Sequence, residues 1–64
     1  MCEFKVILDG AQVAEDVVYA RAEGGNVVLR DILGKSITLK DVKIYEVNVL
    51  TTRMILTRTR TAEA

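Results

Sequence analysis

The sequence predicts an all-β fold of the small SH3-like (Sm-like) barrel type, or a strongly curled antiparallel sheet of five to six strands. Three observations carry this prediction. Apolar and polar residues alternate with a period of two along most of the chain. Glycines and other turn-forming residues separate the alternating runs. No segment combines helical length with helical periodicity, and several short strands in so short a chain favour a small barrel.

The first strand is predicted over residues 2–8. Phe4, Val6 and Leu8 lie on one face of it, because side chains two positions apart point the same way in a strand. The dipeptide Asp9-Gly10 ends it with residues that favour a turn.

The second strand is predicted to begin near Val13 or Val17 and to run to Glu23. A Gly24-Gly25 pair follows, between two β-rich runs. Two glycines in a two-residue loop suit a primed hairpin turn, in which φ is positive at one or both central positions. This glycine pair is the most specific turn signal in the sequence.

The rest of the chain continues the alternating pattern. In order, the sequence predicts a strand over residues 26–33, a strand over 35–40, a short turn of 3₁₀-helix over 41–43, a strand over 44–50 and a strand over 53–60. Residues 61–64 are expected to be a frayed tail. Residues 1–64 are expected to form one domain.

Composition excludes several classes of function. Nine basic residues balance nine acidic ones, so no overall field attracts the protein to nucleic acid or to an anionic membrane. No apolar run reaches the length of about 18 residues that a membrane span needs, and the amino terminus does not resemble a signal peptide. We therefore expect a cytoplasmic protein. The chain contains no histidine, the side chain that most often acts as general acid or base in enzymes. An enzyme is therefore not expected.

The length of 64 residues is close to the lower limit for a single core. Oligomerisation, disulfides or a metal commonly stabilise such small chains. The single cysteine excludes an intramolecular disulfide, and a symmetric dimer is therefore a reasonable expectation.

Cys2 is the residue that carries the metal hypothesis. One interpretation makes it the first core residue of the first strand, since it would point to the same face of the strand as Phe4 and free cysteines are often buried. The other makes it a ligand: the Met1 amine or the Cys2 backbone nitrogen and the thiolate sulfur close small chelate rings around one metal. Such donors suit Ni(II), with Cu or Zn as alternatives. Two chains related by a two-fold axis would complete the site without histidine.

Four features of the sequence form a distinctive combination: the Met1-Cys2 start, the run VYARAEGGNV over residues 18–27, the segment DILG over 31–34 and the apolar closing strand. In this combination the chain resembles the CooT family. The resemblance implies a nickel-binding homodimer whose site depends on Cys2 of both chains. It also implies a role in nickel trafficking or in maturation of a nickel enzyme of the carbon monoxide dehydrogenase type, with that enzyme or its maturation machinery as partner. Some members of the family are described as predicted RNA-binding proteins.

RNA binding is the alternative function. Arg53, Arg58 and Arg60 lie in a closing run with no acidic residue. Single-stranded RNA recognition usually needs aromatic platforms beside the cations, and none lies beside this run in the sequence. We favour another explanation for Arg58 and Arg60, an exposed last strand on which charge blocks edge-to-edge pairing. Nucleic acid is therefore not the expected partner.

Overall fold

The computed structural model describes residues 2–59 of the chain, and these residues form one six-stranded sheet without a helix. The predicted all-β class is confirmed. In chain order the strands are β1 (Phe4–Leu8), β2 (Ala11–Glu23), β3 (Asn26–Asp31), β4 (Ser36–Lys40), β5 (Val42–Asn48) and β6 (Arg53–Arg58). Within the described range, no helical segment has the length and hydrophobicity that a membrane crossing requires.

The strands follow the order β4-β3-β2-β1-β6-β5, so β4 and β5 are the edges of an open, curled sheet. Neighbouring strands are antiparallel except for β1 and β6, which run parallel with Lys5 opposite Arg53 and Leu8 opposite Leu56. The four strands between β1 and β6 in the chain form the crossover that a parallel pair requires.

The curl of the sheet comes from the long strand β2. Its first half pairs with β1, with Leu8 opposite Ala11, and its second half pairs with β3, with Glu23 opposite Asn26. The register shifts on both sides of Val17, and the preceding Asp16 has a φ of 55°. Such irregularities bend a strand and increase its twist, so β2 takes part in both halves of the sheet.

The predicted glycine hairpin is confirmed. Gly24 and Gly25 have φ values of 55° and 83°, and they connect β2 to β3 as a two-residue loop. Positive φ at both positions is what a type I′ turn requires. The Val42 N–H donates to the Gly25 carbonyl at 3.0 Å, which brings the start of β5 against this hairpin and nearly closes the curl.

Several predicted boundaries differ from the structure. The predicted 3₁₀ turn over 41–43 is wrong: Asp41 bends the chain with a φ of 60°, and Val42 already begins β5. β3 ends at Asp31 because its Oδ1 accepts hydrogen bonds from the N–H groups of Leu33 and Lys35, both at 2.9 Å. β2 begins earlier than predicted, β1 begins two residues later and β5 ends two residues earlier. The predicted tail over 61–64 lies outside the described residues.

The core lies on the inner face of the curl. Buried side chains come from β1, β2, β3, β5 and β6: Val6, Leu8, Val17, Val27, Leu29, Val42, Met54 and Leu56. Phe4 packs against this cluster and is half-buried. In the described part of the chain, no buried side-chain nitrogen or oxygen lacks a hydrogen-bond partner.

Candidate metal centre

Cys2 lies just before β1 and is an exposed, free thiol. The start of β1 is fixed on two sides. Phe4 lies opposite Val17 of β2, and the Lys5 N–H donates to the Thr52 carbonyl at 2.9 Å. The interpretation of Cys2 as a core residue of the first strand is therefore wrong, because the strand begins after it and its side chain faces solvent.

The donors of one chain do not complete a metal site. Within residues 2–59, no group of three or more His, Cys, Asp or Glu side chains is close enough to hold a metal ion. Glu3 is exposed beside Cys2, and Met1 lies outside the described residues. One copy therefore offers a single thiolate with nearby main-chain nitrogen, which is half of a sulfur–nitrogen donor set for Ni(II) or Cu(II). The donor set fits such a metal when a second copy supplies the other half.

An apolar groove opens on the same end of the molecule. We call it the amino-terminal groove; it has a volume of about 210 Å³ and is lined by Phe4, Val17, Val18, Tyr19, Ala20, Val47 and Met54. Phe4 is two residues from Cys2. No pattern in the sequence indicated this groove, because Val47 comes from β5 and reaches β2 only through the curl of the sheet.

The β5–β6 turn, residues 49–52, borders this end. Its two apolar residues, Val49 and Leu50, are 60% and 96% exposed. Asn48 Oδ1 accepts a hydrogen bond from the Thr51 N–H at 3.1 Å, which holds the turn in shape. Leu50 is thus an almost fully exposed leucine on a turn that contacts the start of β1 through the Thr52 carbonyl.

The arginines of the RNA-binding hypothesis do not form a patch in the described range. Arg53 and Arg58 occupy opposite ends of β6, and Arg60 lies outside the described residues. Arg58 Nε donates to Asp9 Oδ2 at 2.7 Å, so its charge is paired. Arg53 is exposed and lies opposite Lys5 of β1.

One cation does lie on an aromatic ring. The Arg30 guanidinium carbon is 4.7 Å from the centre of the Tyr19 ring, within the range of a cation–π contact. The two residues are partners in the β2–β3 register. Arg30 Nε also donates to Ser36 Oγ at 3.3 Å, so this guanidinium already has two partners. No sequence pattern indicated this pair, because the contact depends on the register between β2 and β3.

Comparison with known protein families identifies the family of this chain. The family described as CO dehydrogenase accessory protein CooT matches residues 1–57 of the 64-residue chain. A search of curated proteins found no match. The matched range includes Cys2, the amino-terminal groove and every strand except the last residue of β6, Arg58. The earlier resemblance is thus confirmed, and the chain belongs to the CooT family of CO dehydrogenase accessory proteins.

Proposed function

We propose that this protein is a nickel carrier that serves maturation of CO dehydrogenase, and that two copies hold one Ni(II) ion between their Cys2 thiolates. The single observation that carries the proposal is the exposed thiol of Cys2, at the start of β1 in a chain of the CooT family. Family membership gives the accessory role. The metal, the dimer and the ligands are our inference from the chemistry of the donors.

The donor set supports nickel over harder metals. Thiolate sulfur and nitrogen donors select Ni(II), Cu or Zn, whereas Mg²⁺ and Ca²⁺ prefer oxygen. Each copy would supply the Cys2 sulfur together with its backbone nitrogen or the Met1 amine. Four such donors from two copies match the planar arrangement that Ni(II) and Cu(II) favour. Copper and zinc are the alternative cargo.

An exposed site suits a carrier better than an enzyme. The ion would lie at the surface, where a client protein can reach it. The full sequence has no histidine to act as a general base, so we propose no catalysis by this chain. We also propose that it acts in the cytoplasm, where a lone thiol stays reduced.

The test is a nickel titration of freshly reduced protein, followed by calorimetry and visible absorption. We expect one Ni(II) per two chains for the wild type and none for Cys2→Ser. Glu3→Gln is the matched control, because it removes the neighbouring carboxylate and leaves the thiol. Thiolate ligation releases protons, so affinity should fall as the pH is lowered. If Cys2→Ser binds nickel as well as the wild type does, the proposal is overturned.

A further inference from the structure

We propose that the outer face of strands β2, β3 and β4 binds an acidic segment of a partner protein, and that Arg30 recognises a carboxylate of that segment. We call this surface the basic face, and we define it by Tyr19, Arg21, Arg30, Ser36 and Lys40. The proposal depends on neither Cys2 nor nickel.

The alternation of side chains along β3 separates the basic face from the core. Leu29 is buried on the inner face of the sheet, so its neighbour Arg30 points outward, where it is exposed. The register sets Arg30 between Tyr19 of β2 and Ser36 of β4. Because adjacent strands are only about 5 Å apart, these three side chains form one row across the outer face.

Arg30 is held in position before any partner binds. Its guanidinium carbon is 4.7 Å from the centre of the Tyr19 ring, and its Nε donates to Ser36 Oγ at 3.3 Å. The donors on its two terminal nitrogens bond to no acceptor within residues 2–59. A planar guanidinium with both terminal nitrogens available binds a carboxylate through two parallel hydrogen bonds. Its fixed orientation reduces the entropy that such binding costs.

Two further cations extend the basic face. After the irregularity at Val17, the outward positions of β2, β3 and β4 are residues 19, 21, 23, 26, 28, 30, 36, 38 and 40, and they hold three cations and one carboxylate. Arg21 pairs with that carboxylate, Glu23, but their side chains are 59% and 61% exposed, so the pair is weak and can open. Lys40 is exposed at the end of β4.

The positive charge of this surface is local. The chain as a whole has a formal net charge of zero, so the basic face is a region of the surface and not part of a general positive field. Charge complementarity of this kind guides a partner to one surface and fixes its orientation. An apolar partner would leave these cations without counter-charges, whereas an acidic segment supplies them.

The position of Tyr19 favours a protein carboxylate over nucleic acid. Recognition of a single strand usually needs an aromatic ring on which a base can stack. One side of the Tyr19 ring is covered by the Arg30 guanidinium, and the same residue lines the amino-terminal groove. Tyr45, the other tyrosine, lies on β5, at the opposite edge of the sheet from β4. The face therefore presents cations without an open stacking platform.

The test is fluorescence anisotropy of a labelled oligoglutamate peptide with the reduced, metal-free, full-length protein at about 0.05 M salt, where charges are weakly screened. We expect Arg30→Gln to raise the dissociation constant by about tenfold, because it removes a bidentate charged pair. Arg30→Lys should recover only part of the affinity, since it keeps the charge and loses the fork. Arg53→Gln is the matched control. It removes an exposed arginine from β6, and we expect a change below about twofold.

Amide chemical shifts locate the bound peptide and show that each variant is folded. We expect the largest changes in β2, β3 and β4 around Arg30. Absence of binding by the wild type, equal affinity of Arg30→Gln, or changes centred on β6 would overturn the proposal. Tighter binding of an oligouridylate of matched charge through Arg30 would also overturn it, because the partner would then be a nucleic acid. Nickel binding is measured separately at Cys2, so either proposal can fail while the other holds.

Discussion

Arg58 Nε donates to Asp9 Oδ2 at 2.7 Å and so joins two residues that are 49 positions apart in the chain. The contact follows from the parallel pairing of β1 and β6, in which Leu8 lies opposite Leu56. Arg58 lies two residues beyond that pair, and Asp9 lies one residue beyond it. The ion pair therefore ties the end of the last strand to the β1–β2 turn, and it neutralises one arginine of the RNA-binding hypothesis.

We predict that the protein does not bind single-stranded RNA at physiological salt. Arg58 is paired, Arg53 lies at the other end of the strand, and the chain has no net charge. Non-specific RNA affinity depends on several clustered cations, which the described residues do not present around β6. Fluorescence anisotropy with a labelled oligoribonucleotide at about 0.15 M salt checks this. Binding that falls with rising salt, and that the double variant Arg53→Ala/Arg58→Ala abolishes, would contradict it.

The same ion pair should contribute little to stability. Both side chains are more than half exposed, and exposed ion pairs are worth about 0.2–1 kcal/mol. We expect Asp9→Asn to lower the free energy of unfolding by less than about 1 kcal/mol, since Asn tolerates the φ of 53° at this position. Asp9→Val is the contrasting variant, because a β-branched residue is strained there. Urea unfolding should rank the valine variant clearly below the asparagine variant. Equal stability of the two would show that the turn geometry is unimportant.

The Gly24-Gly25 turn offers a test of conformational cost free of steric clashes. A Cβ atom built at either glycine meets no heavy atom within 4 Å, while both residues have positive φ. Any loss of stability therefore comes from the backbone conformation. We expect Gly24→Asn to be nearly neutral, because Asn is favoured at this position of a type I′ turn. Gly24→Val should cost about 1–2 kcal/mol in urea unfolding. A neutral valine variant would mean that the turn can adopt another type.

The sequence was informative where the structure depends on local chemistry. The period of two located each strand, and the glycine pair identified the β2–β3 hairpin, because both signals arise from neighbouring residues. The parallel pairing of β1 and β6 was not predictable, since it joins the two ends of the described chain. The same holds for the Tyr19–Arg30 contact and the amino-terminal groove, which depend on register and on the curl of β2.

Cys2 shows where prediction from alternation fails. Because Cys2 is two residues from Phe4, alternation favoured a buried position, but alternation predicts the direction of a side chain only within the strand. β1 begins at Phe4, so the thiol is exposed. At Asp41 the local signal itself was misleading, because a single residue with positive φ bends the chain where a 3₁₀ turn was expected.

The small size of the core makes stability sensitive to single side chains. Domains of this length have a free energy of unfolding of roughly 3–10 kcal/mol, from about 0.05–0.15 kcal/mol per residue. Leu29 on β3 is 1% exposed and belongs to the core cluster. We expect Leu29→Ala to lower the free energy of unfolding by about 2–5 kcal/mol, which is a large share of the total.

Leu33→Ala is the matched control, and it should cost less than about 0.5 kcal/mol because Leu33, four residues further along the chain, is 89% exposed. Urea unfolding at one fixed protein concentration gives both values, since association would stabilise the native state by mass action. A Leu29→Ala variant as stable as Leu33→Ala would mean that the curled sheet does not close over Leu29 and that the core lies elsewhere.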